Sequence, residues 1–203
     1  EIRVLHVDDD RDFVELAATF LERENESLAV TTEADANAAL TEITDGSFDC
    51  VISDYDMPEM NGLELLNEVR ERSETLPFIL FTGKGSEEIA SRAISAGVTD
   101  YLQKETGTDH YAVLSNRVEN VVGKYWAETR ATESFEAIET ANEGISLINE
   151  NSEFTYVNEA YADIYDYDPD DLVGEHWETL YPEDEQARIE EEILPQLEKK
   201  GYW

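Results

Sequence analysis

Two acidic clusters stand directly behind apolar runs. Asp8-Asp9-Asp10 follows Ile2 to Val7, and Asp54 follows Cys50-Val51-Ile52-Ser53 ahead of a turn at Met57-Pro58. An apolar run of that length fits a strand buried on both faces of a parallel sheet. Such a strand carries Asp54 to its carboxyl end, where open α/β sheets place their chemistry. Two strand ends of this kind can bring several carboxylates together. Like charges that close cannot all stay ionised without a counter-ion, and a hard divalent cation with oxygen ligands is the usual one.

The elements needed to position these acids are legible around them. Phe13, Leu16, Ala17, Phe20 and Leu21 recur at helical spacing, Leu28-Ala29-Val30 reads as a short strand, and Ala36, Ala39, Leu40 and Ile43 mark a helix ending near Asp45-Gly46. Asn61-Gly62 opens a helix with Leu65, Leu66 and Val69 inward. Pro77 introduces the strand Phe78 to Phe81, which stops at Thr82-Gly83. Ile89, Ala90, Ala93 and Ile94 form a helix closed at Gly97, where a left-handed cap suits glycine. Val98 to Gln103 is the fifth strand and ends at Lys104, and a helix from about His110 completes the fifth strand and helix pair. The fold class is therefore α/β: a doubly wound, five-stranded parallel sheet with right-handed crossovers.

Charge narrows the partners. Asp and Glu number 49 against 14 Lys and Arg, a formal net charge of -35. That excess repels nucleic acid and anionic membrane, so neither is expected as a partner. It also destabilises the compact state unless salt screens it, and a cytoplasmic protein adapted to high salt is expected. The single cysteine, Cys50, excludes an internal disulfide framework and reads as a small core residue. Neither a signal-peptide pattern nor an apolar run of bilayer length is present.

Taken together, Asp8-Asp9 after strand one, Asp54 after strand three, Thr82 after strand four and Lys104 after strand five resemble the receiver domain of response regulators. The resemblance covers about residues 1–122 and implies a flavodoxin-like fold. It implies that Asp54 accepts a phosphoryl group from a sensor histidine kinase. Mg2+ would be bound directly by Asp9, mostly through water by Asp8, and also by Asp54 and the backbone carbonyl of Asp56. Thr82 would hydrogen-bond the phosphoryl group, Lys104 would pair with it, and Tyr101 would be the aromatic that changes rotamer. These types suit the chemistry, because a carboxylate can take a phosphoryl group as an acyl phosphate when the charge on the transferring oxygens is offset.

Two positions depart from the family pattern. Receivers usually have proline after the lysine, often with a cis bond, whereas Glu105 stands here. A cis bond before a non-proline residue costs about 3 kcal/mol, so a trans bond and a differently shaped loop over Glu105-Thr106-Gly107-Thr108 are expected. Asp56 adds a charge where only a carbonyl is needed, and its side chain is expected to be solvated or to cap a helix.

The last receiver helix does not stop where the sheet ends. Leu114, Val118, Val121, Tyr125 and Thr129 continue at spacings of three or four, so residues 111–132 read as a connector whose stripe packs either on its own sheet or on a second copy. Residues 133–203 read as a partial α+β unit: a short helix at Ala137, Ile138 and Ala141, a hairpin from Gly144 to Val157, short helices at Tyr161 to Tyr165 and after Asp168-Pro169, and a longer helix from Glu183 to Lys200 containing Pro195. With the segments Val157 to Tyr161, Tyr167 to Gly174 and Trp177, this unit resembles the first part of a PAS domain, a sensory or dimerising module. The chain reaches Gly201-Tyr202-Trp203 as a new strand pattern begins, and more protein is expected to follow. The positions a haem or a flavin adduct needs hold no histidine on the long helix and no cysteine, so neither cofactor is expected. His176 reads as a polar packing residue and His6 as a sheet residue.

The two units together resemble halophilic archaeal two-component signalling proteins, with output by protein contact and possible dimerisation through the connector or the PAS-like unit. Two alternatives stay open. Asp54-Tyr55-Asp56 has the Asp-x-Asp form of aspartate-nucleophile, metal-dependent phosphohydrolases, although that motif normally ends a first strand. A receiver-like scaffold that is never phosphorylated is the other.

Overall fold

Each of the five apolar runs read as a strand of the parallel sheet forms one in the computed structural model, which describes residues 1–46, 48–83, 87–105 and 107–200. The order is β1 (Ile2–Val7), α1 (Arg11–Glu24), β2 (Leu28–Glu33), α2 (Ala36–Asp45), β3 (Cys50–Ser53), α3 (Gly62–Arg72), β4 (Phe78–Thr82), α4 (Glu87–Ser95), β5 (Asp100–Gln103) and α5 (Asp109–Glu139). The five strands pair in parallel in the order β2-β1-β3-β4-β5. Chain order therefore reverses between β1 and β3, the crevice where sheets of this class hold ligands.

Alternation along the strands divides the core in two. Ile2 and Val4 of β1, Cys50 and Ile52 of β3, and Ile79 and Phe81 of β4 face Ala17 and Leu21 of α1 and Leu114, Val118 and Val122 of α5. Leu5, Val7, Val51, Phe78 and Leu80 face the opposite way, onto α2, α3 and Ala93 of α4. Not every apolar residue at helical spacing is buried: Leu16 and Ile94 are exposed, at 52% and 70%, while Val14 and Ala18 supply the buried face of α1 beside Ala17 and Leu21. Gly97 closes α4 at φ 81°, as its position suggested.

Helix α5 runs unbroken over 31 residues, absorbing the separate short helix expected at Ala137 and Ile138. Its apolar stripe is spent on its own sheet, since Leu114, Val118 and Val122 are buried and Val121 and Trp126 pack against them. Trp126 also donates its indole N–H to Asp49 Oδ1 at 3.2 Å, and Asp49 accepts the Arg3 backbone N–H at 2.8 Å, which fixes the helix beside the start of β3.

The chain divides into two compact units, Glu1–Thr129 and Arg130–Trp203. The second contains the antiparallel pair β6 (Ser146–Ile148) and β7 (Phe154–Val157), α6 (Glu159–Tyr165), α7 (Pro169–Leu172), a 3-10 turn at Trp177–Leu180, α8 (Glu183–Arg188) and α9 (Leu194–Lys200). A π-helical turn, Ile189–Ile193, separates α8 from α9 just before Pro195, which has no N–H to continue the ordinary ladder. The strand expected at Gly201 to Trp203 lies outside the described residues. His176 caps the 3-10 turn, its Nδ1 accepting the Glu178 N–H at 3.4 Å, in keeping with a polar packing role.

The small core of this unit is Phe154, Val157, Ala162 and Leu172. Asn158, fully buried, holds it to the end of α5. Its side-chain amide donates to Ile138 O at 2.9 Å and Glu143 O at 3.0 Å, and its Oδ1 accepts from Ile145 N at 2.8 Å and Tyr161 N at 3.0 Å. Asn158→Leu leaves four part-buried backbone groups without that partner, at a cost of about 2–4 kcal/mol. Hydrogen exchange will then show β6 and β7 amides losing protection by that amount, while unchanged protection would make the network dispensable.

Candidate functional site

The register places the acids side by side. Val7 pairs with Ser53, so the next residues, Asp8 and Asp54, leave adjacent strands together at the reversal point. Both are buried, at 2% and 6% exposure. Lys104, one residue beyond β5, reaches across β4 and places Nζ 2.6 Å from Asp8 Oδ2 and 2.6 Å from Asp54 Oδ1. Its backbone N–H donates to Thr82 O at 2.9 Å, which ties the lysine to the end of β4.

Loop chemistry fixes the carboxylates. Asp8 Oδ1 accepts the Asp10 N–H at 3.0 Å, and Asp54 Oδ2 accepts the Asp56 N–H at 2.6 Å. Asp10 is the N-cap of α1, accepting the Phe13 N–H at 3.1 Å. Asn61 and Glu64 form a capping box on α3, so the helix-capping role considered for Asp56 falls to Asn61, and the Asp56 side chain is exposed. Gly62 is required for this arrangement. A Cβ there would stand 2.2 Å from Asp54 O, so only glycine lets α3 start against the acid's backbone. At Gly83 a Cβ would meet nothing within 4 Å among the described residues.

Electrostatics follow from two acids sharing one base. Burial raises the Asp8 carboxyl above the usual carboxylate range, against the lowering effect of Lys104. Burial alone would lower the Lys104 ammonium, but hydrogen bonds to Asp54 and Asp8 outweigh it and leave the group raised and charged. His6 is fully buried on the α1 and α5 side, and burial followed by the nearby Lys104 charge brings it down to about 3, so it is neutral.

The structure thus brings together Asp8, Asp54, Thr82 and Lys104 of the expected set. Asp9 is exposed and, among the described residues, makes no hydrogen bond to the others. Tyr101 is half-buried against the α2, α3 and α4 core, and its hydroxyl has no hydrogen-bond partner among the described residues. The described residues contain no cis peptide bond; Thr106 of the loop after Lys104 lies outside them. Among the described residues no three acid, histidine or cysteine side chains converge on a metal position by themselves. Two carboxylates and a carbonyl nonetheless fit Mg2+, which keeps several waters and is commonly held by one or two carboxylates plus phosphate oxygens. Two neighbours of Lys104 escaped the sequence reading, the rings of Phe13 and Phe81, whose helical and strand periodicity marked them only as core.

A site of two strand-end acids and one lysine at the reversal of a 2-1-3-4-5 sheet defines a receiver. Residues 4–114, more than half of the chain, match the response regulator receiver domain model, and the chain belongs to that family. Residues 138–198 match the PAS fold model. The chain is 32% identical over 171 residues to the C4-dicarboxylate transport transcriptional regulatory protein DctD of Rhizobium meliloti, covering 84% of this chain and 36% of that protein. It is 27% identical over 139 residues to the response regulator SaeR of Staphylococcus aureus, covering 68% of this chain and 60% of SaeR. Among solved structures, a CheY-like receiver domain protein from Methanospirillum hungatei is 26% identical with a TM-score of 0.56, covering 63% of this chain and 98% of that one. The Clostridium thermocellum receiver domain is 25% identical with a TM-score of 0.55, covering 61% and 96%.

The neutral His6 has a measurable consequence. A group whose folded value lies below its ordinary one contributes stability that is present above about pH 6.5 and lost as pH falls toward about 3. In His6→Leu that loss disappears. Denaturant titrations should show the variant gaining on wild type by about 1.4 kcal/mol per pH unit between about pH 6 and 4. A pH-independent difference would mean that His6 does not titrate on unfolding.

Proposed function

We propose that Asp54 is the phospho-acceptor of a two-component response regulator, charged by a sensor histidine kinase and read out through protein contacts. The observation that carries this reading is the Lys104 ammonium held 2.6 Å from both the Asp8 and the Asp54 carboxylate at the sheet's reversal point. Asp54 attacks the donor phosphorus, an O–P bond forms, and the donor's bond to phosphorus breaks with its electron pair leaving on the donor. Asp8, Asp54 and the Asp56 carbonyl, joined by Asp9, would hold Mg2+, which would supply positive charge to offset that on the transferring oxygens. The Asp56 N–H keeps one Asp54 oxygen oriented. The phosphoryl group brings about two negative charges and three acceptors, which recruit Lys104 and the Thr82 hydroxyl. The vacated hydroxyl space lets the half-buried Tyr101 ring take up a second rotamer.

The remaining features belong to the same reading. The net charge of -35 suits a cytoplasmic setting at high salt and disfavours nucleic acid as a direct partner of these units. No helix among the described residues is long and apolar enough to cross a membrane. The PAS-like unit acts as a sensory or dimerising module, and self-association through it or through the exposed Phe135 and Ile138 of α5 is part of the proposal. DctD is by name a transcriptional regulator, and this chain spans about a third of it, so its output is not carried over.

Incubation in high salt with Mg2+ and a small acyl-phosphate donor, read by intact mass, tests the core of the proposal. A gain of one phosphoryl group is expected in wild type, and none in Asp54→Asn or without Mg2+. No gain in any condition would favour the scaffold reading, and continuous phosphate release with no adduct would favour a hydrolase.

A further inference from the structure

Lys104 has three N–H donors, and the two carboxylates use two of them. The third side of the ammonium meets no hydrogen-bond acceptor among the described residues and instead faces two rings. Nζ lies 4.4 Å from the Phe13 ring centre and 5.7 Å from that of Phe81. The rings are in contact, with centres 6.2 Å apart at 34°. Phe81 is fully buried in β4, so it cannot turn away. Phe13 is placed by the cap: Asp10 accepts its N–H, helix α1 therefore starts at Arg11, and the third residue of the helix stands over the strand ends. His6 packs on both rings, 6.4 Å from Phe13 and 6.3 Å from Phe81, and is neutral, so it adds no repulsion to the ammonium.

We infer that the Phe13 ring is a positioning residue for Lys104, holding the ammonium in the site through its negative face while the lysine's anionic partners change. The inference rests on the reading that Lys104 acts on the phosphoryl group. The Asp54 contact is subject to that chemistry, because Asp54 is consumed as a carboxylate when it is phosphorylated, and the Asp8 contact is shared with the proposed Mg2+ site. The ring is a neutral partner that neither change removes. Without it a flexible four-carbon side chain, already partly open to solvent, has only those anions to keep it ordered.

Fluorination separates this role from simple packing, since ring fluorines drain the negative face at nearly constant volume. Phenylalanine with one, two and three ring fluorines is introduced at position 13, alongside Phe13→Leu, and thermal midpoints identify variants that fold as wild type. The second-order rate of Asp54 phosphorylation by a small acyl phosphate is expected to fall stepwise, reaching roughly three- to thirty-fold for the trifluorinated ring. A second readout uses the unphosphorylated protein: the Lys104 Hε resonances, shielded by the ring, should move downfield in Phe13→Leu. A wild-type protein phosphorylated on Asp54 with a flat fluorine series would overturn the positioning role. Should wild type gain no phosphoryl group, the reading of Asp54 fails instead, and Lys104 resonances unmoved by Phe13→Leu would overturn the ring contact on its own.

Discussion

One ammonium shared by two buried carboxylates is the constraint around which this receiver is built. Parallel pairing of β1 and β3 in the register Val7 to Ser53 forces Asp8 and Asp54 next to each other. Both are almost wholly removed from water, and two such charges without a cation would oppose the pairing that creates them. The cation cannot come from β3 or β4, whose ends are occupied by Asp54 and Thr82, so it comes from β5 and must cross β4. Only a long side chain spans that distance, and a lysine just after β5, anchored by its N–H to Thr82 O, does so. A buried ion cluster is weak support for stability in itself. Its value here lies in poise: changing the charge on Asp54 changes the partner of every other group.

The loops that follow the two acids are closed by hydrogen bonds. Asp10 and Asn61 cap the helices that follow the two acidic strand ends, so both loops are closed within a few residues by side-chain hydrogen bonds. Gly62 lets α3 start in contact with the Asp54 carbonyl, which a methyl group would prevent. The acids are thus fixed close to their own backbone, while the Lys104 ammonium sits at the end of a four-carbon stem whose backbone is tied to Thr82 O and whose head is held by the two carboxylates.

Much of this was legible in the sequence because strand ends are sharply marked. Asp8, Asp54, Thr82 and Lys104 each close an apolar run, and the alternation of five such runs with helical patterns specifies the sheet. What periodicity cannot supply is a partner. It marked Phe13 and Phe81 as apolar positions without revealing the ammonium beside them, and it listed the exposed Leu16 and Ile94 with the rest because spacing alone does not say where a helix's buried face ends. Trp126 and Asp49 lie far apart in the chain, and nothing local announces their hydrogen bond. Asn158 was visible as part of a family segment, but its four hydrogen bonds depend on where α5 ends.

The length of α5 follows from the same limits. Gly123 is its one weak breaker, and a single glycine inside a helix costs about 1 kcal/mol, less than the burial of Val118 and Val122 just before it returns. Beyond Trp126 the residues are mostly good helix formers without proline, so nothing stops the helix before Glu139. Four residues separate Lys104 from the start of this helix, and the Ile138 carbonyl near its end is bound by Asn158. The helix therefore begins, along the chain, a few residues after the lysine of the site and ends where the hydrogen bonds of the second unit begin.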